Sequence, residues 1–142
     1  MKRFPEVFLD TSAWVAALNR RERAHAEALE AYEQLLNRGG RFLSSNLVLA
    51  EVHVLLLRHG GPRAALRFLE AVREDPAHEV VYVDRATEAA ATDRWLRRFD
   101  DQPFSLADAV SFELMRQRKV GTALTLDRHF RVAGFEMLPR GA

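Results

Sequence analysis

Two periodicities divide this chain. Short apolar runs ending in a hydroxyl or a carboxylate read as buried strands: Val7-Phe8-Leu9, Arg41-Phe42-Leu43-Ser44, Glu79-Val80-Val81-Tyr82-Val83, Val120 to Leu126, and Phe135-Glu136-Met137-Leu138. Between them, apolar residues recur at helical spacing over Ser12–Leu18, Arg23–Asn37, Leu47–His59, Pro62–Arg73, Ala86–Arg98 and Ser105–Met115, and Arg128-His129-Phe130 opens a short helical turn. In Arg23–Asn37 the predicted inner face is Ala24, Ala28, Leu29, Tyr32, Leu35 and Leu36; in Pro62–Arg73 it is Ala65, Leu66, Leu69 and Val72. The punctuation agrees. Gly39-Gly40 stops one helix, Gly60-Gly61-Pro62 breaks another and puts proline at a helix start, and Ser45 or Asn46, Asp84 and Ser105 stand where N-caps are needed. Strands alternating with helices predict an α/β domain with a parallel sheet.

Four carboxylates fall at telling places in this pattern. Asp10 ends the first strand and is followed by Thr11 and Ser12. In open α/β sheets, ligands bind outside the carboxyl ends of the strands. The same residues could simply cap the next helix. Glu51 is the lone carboxylate in Leu47–Leu57, where apolar residues fill almost every position; the predicted helix is buried nearly all round. A carboxylate there needs a cation, a donor or a pocket, and an ion pair or an exposed stripe is the plain alternative. Asp108 lies between alanines three residues after Ser105, which is also the capping-box position. Asp127 ends a strand that repeats the opening design, with Thr125 as its hydroxyl.

Composition narrows the chemistry. At 142 residues, with 48% hydrophobic and 29% charged residues, the chain suits a single soluble domain covering 1–142 with no linker or repeat. It has no cysteine, which excludes disulfides and thiolate metal sites. The Met1–Pro5 start and the run broken by Asp10 are too short for a signal peptide, and no apolar stretch would span a bilayer; a cytoplasmic location away from membranes is expected. The net charge of +1 means that any nucleic acid must meet a local basic patch. Nearly all basic residues are arginine, and Arg20, Arg21, Arg23, Arg94, Arg97, Arg98, Arg128 and Arg131 are the candidates.

Strand ends and the first turns of the following helices gather on one edge of a three-layer α/β domain, so the four carboxylates can converge. Converging carboxylates raise one another's pKa unless a cation neutralises them. All-oxygen ligands select Mg²⁺ or Mn²⁺, which supports hydrolysis of a phosphodiester by water. Other constellations are missing. The five histidines are scattered without a His-Glu-x-x-His pair, and there is no Walker or dinucleotide loop and no Gly-x-Ser-x-Gly elbow. A phosphatase using Asp10 as nucleophile would want a second Asp where Ser12 stands.

Together, Phe8-Leu9-Asp10-Thr11-Ser12, Ala50-Glu51-Val52, Leu106-Ala107-Asp108-Ala109 and Thr125-Leu126-Asp127-Arg128-His129-Phe130 resemble the PIN-domain family of nucleases, over about Val7 to Leu138. Within it the chain looks most like the stand-alone VapC-type ribonuclease toxins. The resemblance implies a three-layer α/β/α sandwich around a central parallel sheet and an Mg²⁺- or Mn²⁺-dependent endoribonuclease. It implies an RNA substrate, a homodimer through the second to fourth helices, and a small antitoxin that neutralises the toxin. Carried over by motif, Asp10, Glu51, Asp108 and Asp127 are the catalytic, metal-binding set, with Asp10 and Asp108 foremost and Glu51 binding directly or through water. Thr11, Ser12 and Thr125 would hydrogen-bond to those ligands. One departure is Ala50, where relatives often carry a small hydroxyl residue. An RNA-processing nuclease that is not a toxin, or a non-catalytic RNA- or protein-binding module of the same fold, is the alternative.

Overall fold

The computed structural model describes residues 5–141; the Met1–Phe4 start lies outside them. Five parallel strands form one sheet: β1 (Glu6–Leu9), β2 (Arg41–Ser45), β3 (His78–Val81), β4 (Thr122–Leu124) and β5 (Glu136–Leu138), in the order β3-β2-β1-β4-β5. The order turns back at β1, which pairs with β2 on one side and β4 on the other. The crevice between the carboxyl ends of β1 and β4 is therefore a topological switch point, the place where such sheets bind ligands.

Adjacent strand residues point to opposite faces, and both faces are covered. Phe8 aligns with Leu43 and lies 6.1 Å from the Phe130 ring, whereas Phe42 stacks at 4.7 Å on Tyr32. The Phe42 side is covered by α1 (Thr11–Leu18), α2 (His25–Asn37) and α3 (Asn46–Glu74), which brings Phe68 edge-on to Trp14. The Phe8 side is covered by α5 (Leu106–Arg118) and α6 (His129–Val132), with α4 (Arg85–Ala91) packed on α5. The result is the predicted α/β/α sandwich. Phe8, Phe42, Phe112 and Phe130 are all buried to within a percent or so, each contributing about 1.5–3 kcal/mol of burial free energy.

The predicted punctuation is realised. Ser45 accepts a hydrogen bond from the Val48 amide, Asp84 from that of Thr87, and Ser105 from that of Asp108. At Gly40 a Cβ would come within 2.6 Å of the Leu35 carbonyl oxygen, so the exit from α2 needs glycine. The break at Gly60-Gly61-Pro62 is a kink: Gly61 takes φ 84°, and the two predicted helices follow one another as arms of α3.

Three expectations need correction. The first arm of α3 is buried on one face only, through Val48, Leu49 and Val52; Ala50, Glu51, Val54 and Leu57 are exposed, because the arm packs inward on one side and none of the described residues covers its outer side. Leu36 and Leu66, assigned to inner faces, are also exposed, and Phe68 is the aromatic that this arm buries with Ala65 and Val72. The helix expected over Ala86–Arg98 widens at Thr92–Arg97 into a π-helical segment, which carries the buried Trp95 against Phe112.

Candidate active site

Asp10 leaves the end of β1 and starts α1, but its side chain does not cap that helix. It is only 8% exposed, and its Oδ2 accepts hydrogen bonds from Ser12 Oγ (3.0 Å) and Thr125 Oγ1 (2.8 Å). Each hydroxyl is oriented from behind: Ser12 Oγ accepts from the Leu126 amide at 2.9 Å, and Thr125 Oγ1 from the Asp127 amide at 3.0 Å. The ends of β1 and β4 are thus stitched together through one carboxylate oxygen. Both hydroxyl bonds go to Oδ2, so among the described residues Oδ1 has no side-chain hydrogen-bond partner.

Asp108 sits in the first turn of α5. Its Oδ2 accepts from the Ser105 amide (3.1 Å), completing the capping box, and contacts His129 Nδ1 at 3.0 Å. Asp127, just after β4, accepts the His129 amide on Oδ1 at 2.9 Å. Glu51 reaches the same cleft from α3, where Thr11 Oγ1 donates to its Oε1 at a long 3.5 Å.

Electrostatics binds the set together. Burial pushes the Asp10 carboxyl above its ordinary value against the lowering effect of Thr125, Ser12 and the Thr11 amide, and the charge of Asp127 adds to the rise. The Glu51 carboxyl is raised by burial of its end in the cleft and by the charges of Asp10 and Asp108. Among the described residues no ion pair reaches Asp10 or Glu51. Uncompensated negative charge and hard oxygen donors are what a divalent cation needs. Asp108, Asp127 and His129 each bring one ligand atom to within 4.8 Å of the others.

A family model for the PIN domain matches residues 7–136. This chain belongs to the PIN-domain family. It is 34% identical, over 91% of its own length and 95% of the relative's, to the 23S rRNA-specific endonuclease VapC20 of Mycobacterium tuberculosis. The crystal structure of that protein, titled a sarcin-ricin loop cleaving toxin, superposes with a TM-score of 0.81 over the same shares of the two chains. FitAcB of Neisseria gonorrhoeae, 15% identical, superposes with a TM-score of 0.64 over 92% of this chain and 95% of that one, a likeness of fold.

All seven residues singled out by motif lie at this one edge of the PIN sheet. Asp108 combines the two roles that its sequence position left open, capping α5 and facing the cleft. Glu51 comes from an exposed helix face, so its perturbation arises in the cleft rather than in a buried helix. Sequence reasoning missed His129, one of the histidines read as scattered. Its signal was local: it stands two residues after Asp127, so its backbone amide and ring both turn back onto the acidic cluster. Of the arginines, Arg94 and Arg97 are engaged with Glu113 and Asp93, while Arg20, Arg21, Arg23, Arg98, Arg128 and Arg131 are exposed.

Proposed function

We propose that this PIN-domain chain is a divalent-cation-dependent endoribonuclease and the toxin of a toxin–antitoxin pair. One observation carries the reading: the carboxylates converge at the sheet's switch point, and Asp10, Asp108 and Asp127 each take their side-chain or amide hydrogen bonds given above on one oxygen, the other having no side-chain partner among the described residues. Mg²⁺ or Mn²⁺ would be held by Asp10 and Asp108, joined by Asp127 and by Glu51 directly or through water. Bound there, it would lower the pKa of a water and offset charge building on the phosphodiester. The chain's own part is positioning. Ser12 and Thr125 fix Asp10, Ser105 fixes Asp108, the His129 amide fixes Asp127, and Thr11 steadies Glu51 from across the cleft. A degenerate, non-catalytic module would have little reason to keep every carboxylate of the set and every donor that orients them.

The match to VapC20 supports a structured loop of 23S rRNA as the RNA cut, and exposed Arg128, between Asp127 and α6, and Arg131 on α6 would meet its phosphates. The same reading supplies a small antitoxin and a cytoplasmic setting, with residues 1–142 acting as one nuclease domain. Among the described residues no helix is long and apolar enough to cross a membrane. A homodimer would cover Val54, Leu57 and Leu66, which stand exposed on α3.

The test is cleavage of ribosomes and of a synthetic sarcin-ricin loop by the purified, antitoxin-free protein, with Mg²⁺, with Mn²⁺ and with EDTA, beside Asp10→Asn and Asp108→Asn. Cation-dependent cutting that both variants lose supports the reading. Intact RNA under every condition, including a total-RNA pool, would sink it.

A further inference from the structure

The groups that hold Asp108 are unequal. The Ser105 amide belongs to the capping box, a device of α5 itself, and comes from three residues away. His129 comes from a different element, 21 positions on, and its Nδ1 meets the same Oδ2 at 3.0 Å. A carboxylate oxygen accepts, so the proton of this contact sits on Nδ1. The backbone amide of the same residue donates to Asp127 Oδ1 at 2.9 Å. One residue therefore touches both of the carboxylates that reach the cleft from the α5 and β4 sides.

The imidazole is itself held. Phe104, only 8% exposed, presents an edge-to-face contact to the His129 ring at 5.3 Å, and Phe104 packs in turn on Phe112 at 5.1 Å. Phe112 meets Phe130, the next residue after His129, at 4.9 Å. Core aromatics thus set the ring on one side and the backbone that carries it on the other. A packed ring loses little freedom when it makes its hydrogen bond, as a group that orients a ligand should.

We infer that His129 is a positioning residue of the acidic cleft, whose Nδ1–H locks the Asp108 carboxylate so that its other oxygen faces a divalent cation. This rests on the proposed nuclease reading and assigns a role that the acidic motifs do not contain. Neighbours that orient a metal-binding carboxylate or imidazole are typically worth about 10–100-fold in metal affinity or activity. A substitution that keeps the ring but removes the donor should weaken the cation site without loosening the fold. One that keeps an N–H near the Nδ1 position should rescue it, and the amide nitrogen of asparagine stands as many bonds from Cβ as Nδ1 does.

The experiment measures Mn²⁺ binding to the full chain by electron paramagnetic resonance, with cleavage of the sarcin-ricin loop and thermal melting followed in parallel. The variants are His129→Phe, His129→Asn and, as control, Asp108→Asn. The expected result is a loss of about tenfold or more in Mn²⁺ affinity for His129→Phe, with activity partly restored by added Mn²⁺ and melting little changed in EDTA. His129→Asn should bind within about threefold of the parent. Parent-like affinity in His129→Phe overturns the proposal while leaving the nuclease reading intact. Equal losses in both variants overturn it too, because the ring nitrogen would then be needed as such. A parent chain that neither binds Mn²⁺ nor cuts RNA overturns both proposals, and the Asp108→Asn control shows whether any binding seen belongs to the cleft.

Discussion

Helix α5 carries two carboxylates with opposite fates. Asp108 opens the helix at the cleft; Glu113, five residues on and roughly 140° around the axis, is buried completely in the layer beneath. Glu113 is surrounded by donors. Trp95 Nε1 and Arg116 Nε reach Oε1 at 3.2 and 3.1 Å, Arg116 Nη2 and Gln117 reach Oε2 at 2.7 and 3.0 Å, and Arg94 Nε lies 3.3 Å from Oε1. Burial pushes its carboxyl up, but the bonds from Arg116, Gln117 and Trp95 and the charge of Arg116 outweigh that, and its pKa falls below the ordinary value. In the cleft, Asp10 receives hydroxyls and, among the described residues, no cationic side chain, and its pKa rises. Both are buried acids. The difference is that Glu113 finds its countercharge within the chain, whereas on the proposed reading the cleft takes one from outside. The first is an element of stability; the second is the mark of a binding site.

That contrast can be attacked at both ends. The largest effect is expected for Glu113→Ala, which takes the acceptor from the buried Trp95 indole and the partner from Arg94 and Arg116, both of which keep part of their side chains in solvent. It should cost about 1–3 kcal/mol in urea unfolding, with Glu113→Gln milder because it keeps the shape and part of the hydrogen bonding. A loss below about 1 kcal/mol would show that the node is dispensable and the comparison misdrawn.

Asp10→Asn should do the reverse. It removes a charge that the chain leaves uncompensated, so the protein in EDTA should be as stable as the parent or gain about 1 kcal/mol, while RNA cutting falls at least about a hundredfold. Calorimetry beside the cleavage assay separates the two readouts. Destabilisation in EDTA together with retained cutting would place Asp10 with Glu113.

The response to pH has opposite signs at the two places. A carboxyl whose folded pKa is raised, as for Asp10 and Glu51, contributes stability that is present below its unfolded value and lost as pH climbs through the folded one. For Glu113, with its pKa depressed, the contribution is present above the unfolded value and disappears as pH falls through the folded one. A cation that binds only the ionised cleft should therefore raise the melting temperature more at about pH 7.5 than at about pH 5. A Mn²⁺-induced shift independent of pH would argue that the ion binds elsewhere.

The smallest effect sharpens the comparison without touching either acid. Lys119 closes α5 in the left-handed region, φ 57°, where glycine is easier. Lys119→Gly should stabilise the protein by about 0.5–1 kcal/mol in chemical denaturation and leave Mn²⁺ affinity unchanged. A change in affinity would mean that strain at the far end of α5 reaches Asp108.

The elements and their order follow from local rules, and these are written in the chain. Apolar runs ending in Asp10 and Asp127 make strands, Ser45, Asp84 and Ser105 start helices, and Gly61 with Pro62 places the kink. Four acidic motifs in order were enough to point to the PIN fold. Tertiary structure alone decided what those residues face. Glu51 and Leu66 read as buried because periodicity reports which residues share a helix face, not whether another layer covers it. Ser12 and Thr125 meet on one oxygen of Asp10 only because β1 and β4, remote in sequence, are neighbours in the sheet. His129 and Glu113 likewise look ordinary in isolation, one a histidine in a turn and the other a glutamate in a helix. Their roles depend on partners brought by other elements, Asp108 to the first and Trp95 with Arg94 to the second. Chain-local chemistry specifies the parts, and the long-range packing of strands and aromatic rings determines which charges meet.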